Sequence, residues 1–169
     1  QCAGRGLGTT FTLTFSTCGP PATPAARGEG AHELAVLQGR RILLIEDESD
    51  ARDFMTALLR RSGSSVTAVA SVAEALAQWK IGAWDVLIAD IGMPGQNGYD
   101  LIRQIRALEA SAIAASVPAI ALTAYARPED RDKALSAGFT VHVSKPFEPD
   151  SFLRTVAGLA PQQAPANRV

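Results

Sequence analysis

Val86-Leu87-Ile88-Ala89-Asp90-Ile91-Gly92-Met93-Pro94 is the stretch that decides the fold. Apolar side chains on successive positions from Val86 to Ala89 read as a strand covered on both faces, the habit of a parallel sheet. Asp90 closes the run and a Gly-Met-Pro turn follows, so a charge stands at the strand's carboxyl end. Similar runs lie on either side: Ile42-Leu43-Leu44-Ile45, Val66 to Ala70, Ala119-Ile120-Ala121-Leu122 and Val141-His142-Val143. Helical spacing separates them, and it predicts core faces carrying Phe54 with Leu58, Val72 with Leu76 and Trp79, Leu101 with Ile105 and Leu108, and Phe152 with Val156 and Leu159. Ser71 with Glu74 three residues on predicts a capping box. Strict alternation from Gly39 to Ala160 predicts an α/β fold, an open parallel sheet wound on both faces, with ligands beyond the strand carboxyl ends.

The chain has 169 residues, 47% hydrophobic and 20% charged, an ordinary globular mix. Sixteen basic against seventeen acidic side chains leave a formal charge of -1, so no overall positive field draws nucleic acid or an anionic membrane. Cys2 and Cys18 are the only cysteines, which excludes a disulfide framework across the body and fits a reducing cytoplasm. No long apolar run reads as a membrane span, and the start lacks a signal-peptide pattern.

Composition divides the chain further. Residues 1–17 carry a Gly-rich run, Gly4-Arg5-Gly6-Leu7-Gly8, and then alternate apolar and polar positions through Phe15. Residues 18–38 are rich in Pro, Gly and Ala and read as a linker. The body is expected over 39–160, with a frayed tail over 161–169. The fourth helix of the body, from Arg127-Pro128-Glu129-Asp130-Arg131-Asp132-Lys133, is charged at nearly every position. Ala134, Leu135 and Ala137 are its apolar anchors. So little apolar area predicts a weakly held element, and a solvated face explains the charge equally well.

Polar residues at strand ends carry the chemistry. Glu46-Asp47-Glu48 follow the first strand, Asp90 the third, Thr123 the fourth and Ser144-Lys145-Pro146 the fifth. If these ends converge, the carboxylates repel one another unless a cation intervenes, and oxygen donors of this kind suit Mg²⁺. Asp90 is then a nucleophile toward phosphorus, with Lys145 and Thr123 donating to phosphoryl oxygens. Nothing in the set resembles a base that activates water.

On these residues the segment 39–160 resembles the receiver domain of two-component response regulators. The resemblance rests on the acidic pair Glu46-Asp47, on Asp90-Ile91-Gly92-Met93-Pro94 leading to Gly98, on Leu122-Thr123-Ala124 and on Lys145-Pro146-Phe147. It implies a flavodoxin-like doubly wound sheet of five parallel strands in the order 2-1-3-4-5, with five helices. It also implies Asp90 as phosphoacceptor, Asp47 as direct Mg²⁺ ligand, Glu46 supporting the ion, the Gly92 carbonyl completing the protein ligands, and Thr123 and Lys145 on the phosphoryl oxygens. A cis Lys145-Pro146 peptide is common in the family. The family's switching aromatic is replaced by His142, as in receivers attached to hybrid sensor kinases, and a simple packing role for this histidine is the stronger expectation. Tyr125 either shields the acceptor or packs nearby.

The run Gly4 to Leu13 resembles the last glycine box and following strand of a histidine-kinase ATP-binding domain, implying the carboxyl-terminal part of a hybrid histidine kinase. The kinase core is missing, so this piece is not expected to bind ATP. His32-Glu33-Leu34 echoes a phosphoaccepting histidine box but lacks the residues around it. Expected partners are a histidine-kinase phosphodonor, in the same parent chain or another, and a histidine phosphotransfer protein. No nucleic-acid output domain is expected. Two other functions compete. A phosphate-independent docking module of the same fold would be expected to lose an acid or the lysine, whereas Asp47, Asp90, Thr123 and Lys145 are all present. Flavin binding conflicts with the acidic loop Glu46-Asp47-Glu48, which repels a phosphate.

Overall fold

The computed structural model describes residues 36–93, 97–111, 116–124 and 127–159. Strands and helices alternate throughout: β1 (Arg41–Ile45), α1 (Ser49–Arg61), β2 (Ser65–Val69), α2 (Val72–Ile81), β3 (Val86–Asp90), α3 (Gly98–Ala110), β4 (Ala119–Thr123), α4 (Pro128–Ala137), β5 (Val141–Ser144) and α5 (Pro149–Leu159). All pairings are parallel, in the order β2-β1-β3-β4-β5. The chain moves outward from β1 to β2, then returns past β1 to β3. The crevice therefore opens between the carboxyl ends of β1 and β3.

Successive strand residues go to opposite faces, and both faces are covered. Ile42, Leu44, Val86, Ile88, Ile120 and Leu122 pack with Met55 and Leu59 of α1 and Phe152 and Val156 of α5. Leu43, Ile45, Leu87, Ala89, Ala119 and Ala121 pack against α2, α3 and Ala134 of α4. That double coverage is why β1, β3 and β4 read as unbroken apolar runs.

Three details differ from the periodicity reading. On α1 the buried pair is Met55 and Leu59, whereas Phe54 is 54% exposed, because the stripe facing the sheet lies one position further along. On α3, Leu108 is 39% exposed while Ile102 and Glu109 are buried. Glu109 tolerates burial because Arg106 donates to it at 2.6 Å and the Val117 amide at 2.9 Å. Leu37, read from composition as linker, is fully buried, and its amide donates to the Ser62 carbonyl at 2.9 Å.

Ser71 caps α2 by accepting from the Glu74 amide at 3.3 Å, while the Glu74 carboxylate accepts from Ala70 rather than from Ser71 itself. On α4 only Ala134 is buried, and Leu135 is 37% exposed. A left-handed Gly138 at φ +115° ends that helix, and Phe139 turns into the core. Among the described residues no helix is long and apolar enough to cross a membrane.

Candidate functional site

Register builds the site. Ile45 pairs with Ala89, so the next residues, Glu46 and Asp90, emerge side by side at the switch point. Asp90 pairs with Leu122 and Thr123 with Ser144, which brings Thr123 and Lys145 to the same edge. Glu46 is 1% exposed, Asp90 9% and Thr123 4%, whereas Asp47 is open to solvent. Lys145 Nζ donates to Glu46 Oε2 at 2.6 Å and to Asp90 Oδ2 at 3.0 Å. The Gly92 amide donates to Asp90 Oδ1 at 2.9 Å, and the Lys145 amide to the Thr123 carbonyl at 2.7 Å. The Lys145-Pro146 peptide is cis.

Burial pushes the Glu46 carboxyl above its ordinary range, and the Lys145 ammonium offsets only part of that push. Burial also works to lower Lys145, but hydrogen bonds to Glu46 and Asp90 outweigh it and hold the ammonium above its usual value. The lysine thus serves as the counter-ion of an acidic site.

Ligand oxygens of Glu46, Asp47 and Asp90 lie within 4.8 Å of one another. An all-oxygen set at that spacing fits a hard divalent cation such as Mg²⁺. Beside it opens a cleft of about 470 Å³, lined among others by Glu48, Asp90, Gly92, Thr123, Lys133 and Lys145. Asp130 and the buried Tyr99 complete its far wall. Lys133 Nζ sits 4.8 Å over the Tyr99 ring, tying α4 to the start of α3. Burial, with the Asp130 charge, pushes the Tyr99 hydroxyl above its ordinary range.

All six residues singled out from the sequence, Glu46, Asp47, Asp90, Gly92, Thr123 and Lys145, meet at this edge. Three others matter as well, of which only Gly98 stood in the motif read from the sequence, and there without a stated role. Gly98 is needed because a Cβ there would come 2.6 Å from the Asp90 carbonyl. Tyr99 looks in sequence like any apolar helix position. Arg52 donates to the carbonyls of Glu46 and Asp47 at 2.9 and 3.0 Å. The available signal was a cation in the first turn of a helix, where the dipole disfavours it. His142 buries its Nε2 with no hydrogen-bond partner among the described residues. Tyr125, Pro94, the Gly4 to Leu13 run and His32-Glu33-Leu34 lie outside the described residues.

The family model described as response regulator receiver domain matches residues 42–157. An uncharacterized 14.6 kDa protein of Leptolyngbya boryana is 38% identical over 115 residues, covering 68% of this chain and 86% of that protein. The sensor protein EvgS of Escherichia coli K12 is 29% identical over 163 residues, covering 93% of this chain but only 13% of that longer protein. Among solved structures, the receiver domain of sensor histidine kinase PA1611 from Pseudomonas aeruginosa, with a magnesium ion coordinated in its active-site cleft, is 35% identical. It superposes with a TM-score of 0.64 over 72% of this chain and 97% of that one.

Proposed function

The chain belongs to the response regulator receiver domain family, and from that premise we propose that it accepts a phosphoryl group on Asp90 within a two-component phosphorelay. In this reading an Asp90 carboxylate oxygen attacks phosphorus of a donor phosphohistidine. The P–O bond forms as the P–N bond breaks, and the electron pair returns to the imidazole, which takes up a proton from solvent. Bound Mg²⁺ would neutralise charge on the phosphoryl oxygens. Asp47 and Asp90 would hold it directly, Glu46 through water, and the Gly92 carbonyl would complete the protein's share. Lys145 already pairs with Asp90 and would follow the charge onto a phosphoryl oxygen, with the Thr123 hydroxyl donating to another.

The observation that carries this reading is the shared ammonium: Lys145 Nζ is within 3.0 Å of Asp90 and 2.6 Å of Glu46. The signal would leave through α4 and β5. Ala134 is the one buried residue of the helix, and β5 is a half-buried edge strand, so a modest bias can shift this face. The donor would be a histidine kinase, and a histidine phosphotransfer protein would be the relay partner, in the cytoplasm. Similarity to EvgS runs over 163 residues, well beyond the 42–157 body, and so supports reading residues 1–17 as a kinase ATP-binding remnant joined by a linker.

Incubation with a small phosphodonor and Mg²⁺, followed by peptide mass spectrometry, tests the chemistry. One phosphoryl group is expected on Asp90, lost in Asp90→Asn. A label that persists at the same level in Asp90→Asn overturns the assignment, and a wild type that takes no label leaves a phosphate-independent docking module. Amide exchange over 123–143 should change with a phosphoryl mimic; no change there would contradict the proposed exit route.

A further inference from the structure

Arg52 holds three consecutive carbonyls at the mouth of the acidic site. Its Nη1 donates to the Glu46 carbonyl at 2.9 Å and to the Asp47 carbonyl at 3.0 Å, and its own amide donates to the Glu48 carbonyl at 2.9 Å. The two guanidinium bonds are charge-assisted and come from one nitrogen, so together they fix two successive peptide planes. Those planes carry Glu46, which is 1% exposed, and Asp47, which is open to solvent with a carboxylate oxygen within 4.8 Å of those of Glu46 and Asp90.

Other parts of the site have their own supports. Asp90 is held by the Gly92 amide and by Lys145. In the loop between β1 and α1, Lys145 holds the Glu46 carboxylate and the Val69 carbonyl accepts from the Glu46 amide at 3.2 Å, but Glu48 at the helix N-cap makes no side-chain capping bond. A cation at a helix amino end is disfavoured by the dipole, so its presence here needs an offsetting contact, and the two carbonyls supply one.

We infer that Arg52 is a positioning residue: the grip of its Nη1 on the Glu46 and Asp47 carbonyls holds their carboxylates in reach of Asp90, and the site binds a divalent cation more weakly without it. The inference rests on the reading of this cluster as a Mg²⁺ site. A competing account treats Arg52 as a charge that merely balances the acids. The two differ in sign. Removing a nearby positive charge by itself strengthens cation binding, whereas losing the brace weakens it.

Mg²⁺ titration by calorimetry on the whole chain at neutral pH decides between them. Arg52→Met keeps the aliphatic stem and removes both charge and donors. Arg52→Lys keeps the charge on a side chain one bond shorter, so its nitrogen falls short of the place where Nη1 meets both carbonyls. We expect Arg52→Met to weaken Mg²⁺ binding about tenfold and Arg52→Lys several-fold. Arg106→Ala, a destabilised variant remote from the acids, should bind Mg²⁺ as the wild type does, which separates positioning from general loss of stability. Equal or tighter binding by Arg52→Met overturns the inference. Should that variant not fold, Arg52→Lys decides: a several-fold loss supports the brace, and unchanged affinity overturns it. A wild type that fails to bind Mg²⁺ sinks the metal-site reading instead, a distinguishable result.

Discussion

The Lys145 ammonium and the Glu46 carboxylate meet at 2.6 Å although 99 positions separate them in the chain. Each is costly to bury alone, and Asp90, 3.0 Å from the same nitrogen, shares the arrangement. The fold holds an acidic pocket together by lending it a cation from the far side of the sheet.

Removing that cation leaves Glu46 and Asp90 without their nearest positive charge. Lys145→Met should lower unfolding free energy without Mg²⁺ by about 2 kcal/mol. Urea unfolding at neutral pH measures the loss. Saturating Mg²⁺ should recover much of it, while labelling of Asp90 stays slow; full-rate labelling would count against a phosphoryl-binding role for the lysine.

Alkaline pH should act on the same region. Lys145 and Tyr99 both have folded-state pKa values above their ordinary ones, so the folded chain binds these protons more tightly than the unfolded chain. Their contribution is therefore fully present below pH 10.0 for Tyr99 and 10.5 for Lys145, and fades as pH rises through the folded values. Urea midpoints measured from about pH 9 upward should fall less steeply in Tyr99→Phe and in Lys145→Met than in wild type.

Mg²⁺ should stabilise the chain by mass action. At a concentration a hundred times Kd the gain is about 2.7 kcal/mol, visible as a raised Tm. Asp47→Asn should be at least as stable as wild type without the ion, because one of three mutually repelling carboxylates is gone. It should gain little when Mg²⁺ is added, and a full wild-type gain would exclude Asp47 as a ligand.

At the opposite edge of the sheet, Arg106 joins three segments. It donates to the Gly138 carbonyl at 2.9 Å, to Val117 at 2.9 Å and to Glu109 at 2.6 Å. Arg106→Ala strands a carboxylate that is 7% exposed and should cost about 3 kcal/mol in urea unfolding. Glu109→Gln, which keeps an acceptor for the arginine, should cost distinctly less.

Legibility in sequence followed locality. Asp90 stood out because a charge at the end of an apolar run has no packing reason to be there, and Thr123 and Lys145 stood out likewise. Phe54 did not reveal itself as exposed, since the spacing of Phe54 with Leu58 and that of Met55 with Leu59 are equally helical. Choosing between them depends on how α1 lies on the sheet. Leu37 gave no periodic partner to lift it out of a Pro- and Gly-rich stretch, although it fills the core beneath α1.

By itself the sequence determined the alternation of strands and helices, the burial of the sheet on both faces and the chemical types gathered at strand ends, because hydrophobic period and residue type are properties of a few neighbouring positions. Only the tertiary structure decided that one lysine serves two carboxylates, that Arg52 reaches back to brace the acidic loop and that Arg106 pins α3 to distant turns. Those contacts are set by strand register and helix placement, which arise when segments far apart in the chain compete for the same space and the same charges.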